Sequence, residues 1–318
     1  MNRSGFFMDS NQKNIIIGSA TGYKPELISD FINSLNKTDF KGILFLIIYA
    51  EQLKEYEQAF SHIERFKVNF KVSNIGKFKS KSKYSGLYRF KNIRNIVKQI
   101  LNLTVSENNT ASKIRGLKIV GYPHVSRFFE YQEILKSDTT IQNVLLTDVR
   151  DVFFQSNPFE NIEKGLFVGM ENPAFSIETE EYNKKWIIDA YGIDFYNEVK
   201  TNQVSCSGVT IGDYQSIDTY VDKMIEEFCK QPYKKMSERI YDQAMHNKLL
   251  LCKQLETVHY CQPFKSRIVT LGLYPFSQIL MNSTGLIVDV DNQIIPIVHQ
   301  HDRHPEILKG YEHYLKVS

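Results

Sequence analysis

A chain of 318 residues is long enough for one large α/β domain or two smaller ones. Its 42% hydrophobic and 24% charged residues are ordinary for a soluble globular protein, and a formal net charge of +3 does not by itself argue for nucleic acid. No apolar run approaches the roughly 18 residues a membrane-spanning helix needs, and residues 1–14 lack the apolar core of a secretion signal.

In chain order, NIIIGSA (14–20) reads as a buried strand. The following stretch places Leu27, Phe31, Ile32 and Leu35 on one helical face. GILFLIIYA (42–50) is a second buried strand, EQLKEYEQAFSHI a second helix, and FKVNFKV (66–72) an alternating strand. This alternation predicts a mainly parallel sheet flanked by helices. Residues 76–90, GKFKSKSKYSGLYRF, interrupt it with lysines among Phe and Tyr. A helix near 89–105, a polar loop at ENNTASK and a helix over 124–137 then lead to a strand at NVLLT.

The second half reads as mixed. Ile217, Tyr220, Val221, Met224, Ile225 and Phe228 mark a helix over 214–229, and another covers 239–251. Short strands follow in SRIVTLG, GLIVDV and QIIPIVHQ, the last two joined by a DN turn. No repeat, linker or composition shift divides the chain, so a single domain over 1–318 is the simpler reading. Cys206, Cys229, Cys252 and Cys261 form no C-x-x-C pair, which points to reduced thiols and a cytoplasmic chain.

Ligands of parallel α/β sheets gather beyond the carboxyl ends of the strands, where Asp148 and Asp151 fall. Two acids in one tight turn are either a solvated turn or a site for Mg2+ or Mn2+, which favour carboxylate oxygens. A literal D-x-D, Asp289 and Asp291, sits in a strand–turn–strand unit where such residues are structural. Downstream, His299 offers a nitrogen ligand, while His301, Arg303 and His304 either meet phosphate oxygens or belong to a polar C-terminal loop with capped histidines. Ser207 and Gly208 permit close approach of a sugar to the backbone, or merely a bend. Asp242 and His246 share a helical face, as do Gln243 and Asn247. Asp242 is a candidate general base or a helix-start acid, and Glu171 competes with it for the proton.

VLLTDVRDVFFQSNPF resembles the D-x-D-type motif of GT-A fold glycosyltransferases, in a variant with two residues between the acids. IIIGSATGY, RFFEYQEIL, CSGVTIG, YDQAMHN and IVHQHDRHP are similar to that family's blocks and follow its order from about residue 14 to 308. The resemblance implies a Rossmann-like GT-A fold, with a nucleotide-binding half over 1–150 and an acceptor-binding half over 151–318. It implies sugar transfer from a nucleotide-sugar donor to a carbohydrate or glycolipid acceptor, with Mn2+ or Mg2+ as cofactor. Ala20, Thr21 and Gly22 would meet the nucleotide and Arg127 the diphosphate or sugar. Asp148 would contact ribose or metal; Asp151 and His299 would bind the metal.

The Lys-, Asn-, Ile- and Tyr-rich composition points to an AT-rich bacterial genome, and enzymes of this kind commonly build surface polysaccharide. Two other classes fit parts of the pattern. A metal phosphoesterase would use the same carboxylates and histidines without an acceptor. The lysine-rich run reads first as a solvated loop; a binding protein centred on residues 76–91 would instead turn its lysines and aromatics to an anionic membrane surface, a charged acceptor or single-stranded nucleic acid, for which no binding module is evident.

Overall fold

The computed structural model describes residues 13–75, 77, 83–238 and 241–316. The first dozen residues and most of the lysine-rich run at 76–82 lie outside them. The chain begins β1 (Lys13–Ser19), α1 (Ser29–Lys37), β2 (Ile43–Tyr49), α2 (Leu53–Ala59) and β3 (Lys67–Ser73). Next come α3 (Lys91–Thr104), α4 (Thr110–Val120), α5 (Pro123–Leu135), β4 (Ile141–Thr147), β5 (Val152–Phe154) and β6 (Leu166–Met170). The second half supplies α6 (Glu181–Val199), β7 (Ser205–Asp213), α7 (Tyr214–Lys230), α8 (Tyr233–Glu238) and α9 (Asp242–Leu251). The chain closes with β8 (Val258–Cys261), β9 (Ile268–Thr270), β10 (Ile297–His299) and α10 (Pro305–Lys316).

Seven strands form the central sheet in the order β3-β2-β1-β4-β7-β6-β8. Every neighbouring pair is parallel except those of β7, which runs against both β4 and β6. The inner strands are apolar on both faces. Ile15, Ile17, Val144 and Leu146 face a core shared with α4, α5, α7 and α9. Ile16, Leu44, Leu46 and Leu145 face another, closed by α1 and α2. β3 alternates because it is an edge strand with half-exposed side chains. A second sheet, β5-β10-β9, packs a third core against α10. Among the described residues no helix is long and apolar enough to cross a membrane.

Local chemistry explains where elements depart from the sequence reading. Pro25 opens a 3-10 turn over Pro25–Ile28, so Ile28 takes the buried place and Leu27 is left 53% exposed. The second helix stops at Ala59. The ENNTASK loop ends early, because the Asn109 side chain accepts from Ser112 N and starts α4 at Thr110. α6 has no simple amphipathic period, being broken at Gly192 (φ 86°). GLIVDV and the start of QIIPIVHQ make only isolated bridges, Met281–Ile287 and Val288–Ile294.

Candidate metal centre and cleft

β1 leads through α1 to β2 on one side, whereas β4 pairs with β1 on the other. Between the carboxyl ends of β1 and β4 the order therefore reverses, leaving a crevice that no crossover covers. A cleft of about 400 Å³ opens there. Ser19 at the end of β1 and Thr21 and Tyr23 in the loop after it line one side, with Asp148 and Asp151 from the turn after β4. His124 and Arg127 of α5, Trp186 of α6 and Gln243 of α9 close the other side.

The small sheet completes the acidic turn. Its antiparallel register pairs His299 with Val152, the residue after Asp151, and Gln300 N donates to Asp151 O at 2.7 Å. His299 Nε2 thus lies 3.7 Å from Asp151 Oδ1 and 3.9 Å from Asp148 Oδ2. One ligand atom from each of the three residues falls within 4.8 Å of the others. The Nδ1 edge of the ring faces Cys206 Sγ at 3.6 Å and Thr270 Oγ1 at 3.5 Å, whereas Nε2 is buried with no hydrogen-bond partner. An orphaned imidazole nitrogen beside two carboxylates is costly unless something joins them. Adjacent ligands of an octahedral cation lie about 3 Å apart, so small side-chain rotations would bring the set to one ion.

Gly208 lines the cleft, as the sequence reading expected, and has a second role there. It lies inside β7, and a Cβ there would stand 2.4 Å from His299 Cε1, 2.7 Å from His299 Nε2 and 2.9 Å from Asp148 Oδ2. Its missing side chain is the room in which the imidazole and carboxylate meet. Gly208 O also accepts from Asp148 N at 2.8 Å, fixing the turn to β7.

A charge network backs the centre. The largely buried guanidinium of Arg127 donates from Nη1 to Asp148 Oδ1 and from Nη2 to Asp242 Oδ2, the latter at 2.9 Å. His124 Nδ1 lies 3.5 Å from the same Asp242 oxygen. Burial works against the charge on Asp148, but Arg127, His299 and His124 outweigh it and hold its pKa below the usual carboxylate value. Burial is likewise overcome at Asp242 by His124 and Arg127. Asp242 is thus an ionised clamp on Arg127.

The remaining expected residues divide into two groups. Thr21, Ser207, Gln243 and Arg303 line the cleft. Ala20 and Gly22 do not: Ala20 is fully buried, its carbonyl accepting from Gln52 Nε2, while Gly22 N donates to Gln52 Oε1 at 2.9 Å. Asn247 pins β7, accepting from Ser205 N and donating to Ser205 O. His246 is buried between Ser205 and Tyr220, and burial lowers its pKa to about 4. His301 packs on Phe153 and Tyr311, and His304 Nε2 donates to Leu271 O, so neither histidine lines the cleft.

Glu171 sits behind the lining, accepting from Gln243 Nε2 at 3.3 Å. Burial, with Glu180 adding to it, pushes its pKa up to about 7 against the opposing hydrogen bonds of Gln243 and Cys206. Tyr23, His124 and Trp186 are cleft residues that sequence reading did not single out. The only signal was that Trp186 is the chain's sole tryptophan. The chain matches no protein-family model and no curated protein.

Proposed function

We propose that the protein is a GT-A type glycosyltransferase, moving a sugar from a nucleotide-sugar donor to a carbohydrate or glycolipid acceptor with Mn2+ or Mg2+. The observation that carries this reading is the orphaned His299 Nε2 facing Asp148 and Asp151 at the switch point of an open, mainly parallel sheet. Hard, oxygen-rich donor sets with one imidazole suit these cations. A cation held there would neutralise a diphosphate and favour its departure.

The chain's own residues have distinct parts in this reading. Arg127 keeps Asp148 ionised and oriented, and Asp242 and His124 in turn fix Arg127. Arg150 and Arg303, on the cleft rim and both beside Asp302, supply positive charge for phosphate oxygens. Ser19, Thr21 and Tyr23 offer hydroxyls to the nucleoside, held in place by the buried amide of Gln52. Trp186 presents a ring for a sugar face, with Gln243 and Ser207 as polar neighbours. Asp242 is committed to Arg127 and His124, and Glu171 has a near-neutral pKa but lies one layer behind, so neither acid has sole claim to the acceptor proton.

A thermal-shift screen of nucleotide sugars with and without Mn2+ tests the reading. A ligand at a hundredfold excess over its Kd stabilises by about 2.7 kcal/mol, a shift of a few degrees. One nucleotide class should stabilise the chain strongly only when Mn2+ is present. Phosphate release from simple esters with no acceptor, and no response to any nucleotide sugar, would replace it with a phosphoesterase.

A further inference from the structure

We propose that α3, with the turn leading into it, docks on the surface of an anionic lipid bilayer. The inference is independent of sugar transfer. No residue of α3 is fully buried, and its apolar side chains divide between two directions. Val97 and Leu101, with Val105 beyond the helix, lean on the main core. Ile96, Ile100 and Leu103 follow an i, i+4, i+7 spacing and point to solvent, with exposures of 58%, 54% and 87%. Leu87 and Phe90 add two more exposed apolar side chains at the helix start. Single exposed aliphatics are common, but a five-residue set on one helix and its entry is a patch that calls for a partner.

Charge identifies the partner. No acid occurs between Glu64 and Glu107, and residues 83–106 carry Lys83, Arg89, Lys91, Arg94 and Lys98. Lys98 is engaged with Glu238, and Arg94 donates to Arg89 O; at the helix start Arg89, lying over the Phe90 ring, and Lys91 form an exposed cationic end. A second copy of the chain would set these cations against each other in a symmetric contact. Single-stranded nucleic acid would meet, among the described residues, four aliphatic side chains and only one ring, Phe90, where successive bases need rings to stack on. An anionic bilayer answers both features: headgroups neutralise the cations, while Ile96, Ile100 and Leu103 enter the boundary of the acyl region.

Co-sedimentation of the full chain with vesicles tests this, comparing phosphatidylcholine alone with phosphatidylcholine mixed with phosphatidylglycerol. Binding should require phosphatidylglycerol and weaken with salt. The triple variant Ile96→Gln, Ile100→Gln and Leu103→Gln keeps good helix formers at exposed positions, and circular dichroism checks its fold. It should bind the mixed vesicles roughly tenfold more weakly or worse. Arg89→Gln with Lys91→Gln should erase the preference for the anionic lipid. No binding to mixed vesicles, equal binding to neutral ones, or a triple variant that binds as wild type would each overturn the proposal. So would a wild-type dimer that this variant dissociates, or preferential capture of single-stranded DNA.

Discussion

Two aspartate pairs occupy turns after strand-like segments, and their oxygens meet different fates. In the turn at 289–293, Asp289 Oδ1 accepts from Asp291 N at 2.9 Å and from Gln293 N at 2.8 Å. Its acceptor capacity goes to its own turn, as expected for an Asx motif, and Asp291 is exposed. In the turn at 148–151 the backbone is fixed from outside, by Gly208 O and Gln300 N. The side chains are thereby left to face His299 and Arg127. The literal D-x-D is thus the structural turn, and the pair with two residues between is the one with oxygens turned toward a cleft. What consumes the carboxylate oxygens separates the two turns better than their spacing does.

The strongest way to break this comparison is to remove each pair in turn. Asp148→Asn with Asp151→Asn should abolish the Mn2+-dependent rise in melting temperature, an affinity loss of roughly 100-fold or more. Asp289→Ala with Asp291→Ala should cost about 1 kcal/mol of stability through the lost turn bonds and leave the Mn2+ response unchanged. If the second variant loses the response, the two turns have been assigned the wrong way round.

Two glycines sharpen the same contrast. Gly208→Ala drives a methyl group into His299 and Asp148, which overpacks the site by about 1–3 kcal/mol and should weaken Mn2+ binding roughly tenfold. Gly285, near the other turn, has φ 84° and open space around its missing Cβ. Gly285→Ala therefore carries only backbone strain, about 1 kcal/mol. Paired Mn2+ titrations and melting curves should show both variants destabilised and only the first with altered metal binding. An unchanged metal affinity in Gly208→Ala would mean that the close approach seen at His299 is not needed by the site.

The strands nearest the cleft were legible because burial on both faces writes an unbroken apolar run, as in Ile15–Ile17 and Leu44–Ile48. The helix at 214–229 was equally clear, and all six of its predicted core residues are buried in α7. What local pattern does not encode is long-range pairing. β5 and β10 have three residues each, too short to show a period, yet their register sets His299 beside Asp151. The roles of Gly208 and Gln52 were hidden for the same reason, since each depends on a side chain brought from a distant segment. Asn247 and Ala20 carried the right chemistry for a site, but their polar groups are spent on the backbone of β7 and on Gln52.

The effect most remote from the metal centre concerns an acid that belongs to neither turn. Glu171 lacks the guanidinium that keeps Asp148 ionised, and burial favours its neutral form, raising the pKa from 4.5 to about 7. In the unfolded chain the group ionises near 4.5, so its favourable contribution to folding is complete below that pH. That contribution is lost as the pH rises toward 7, and above 7 the folded chain bears the cost of a buried charge, roughly 3 kcal/mol. Glu171→Gln stays uncharged and still accepts from Gln243. Melting curves recorded without metal should therefore nearly coincide at pH 4.5, separate in favour of the variant up to about pH 7, and remain a constant distance apart above it. A pH-independent difference would show that the Glu171 carboxyl titrates as an ordinary solvated acid. The Mn2+ response of the variant should match wild type, because the acid lies behind Gln243 and contributes no oxygen to the group formed by Asp148, Asp151 and His299.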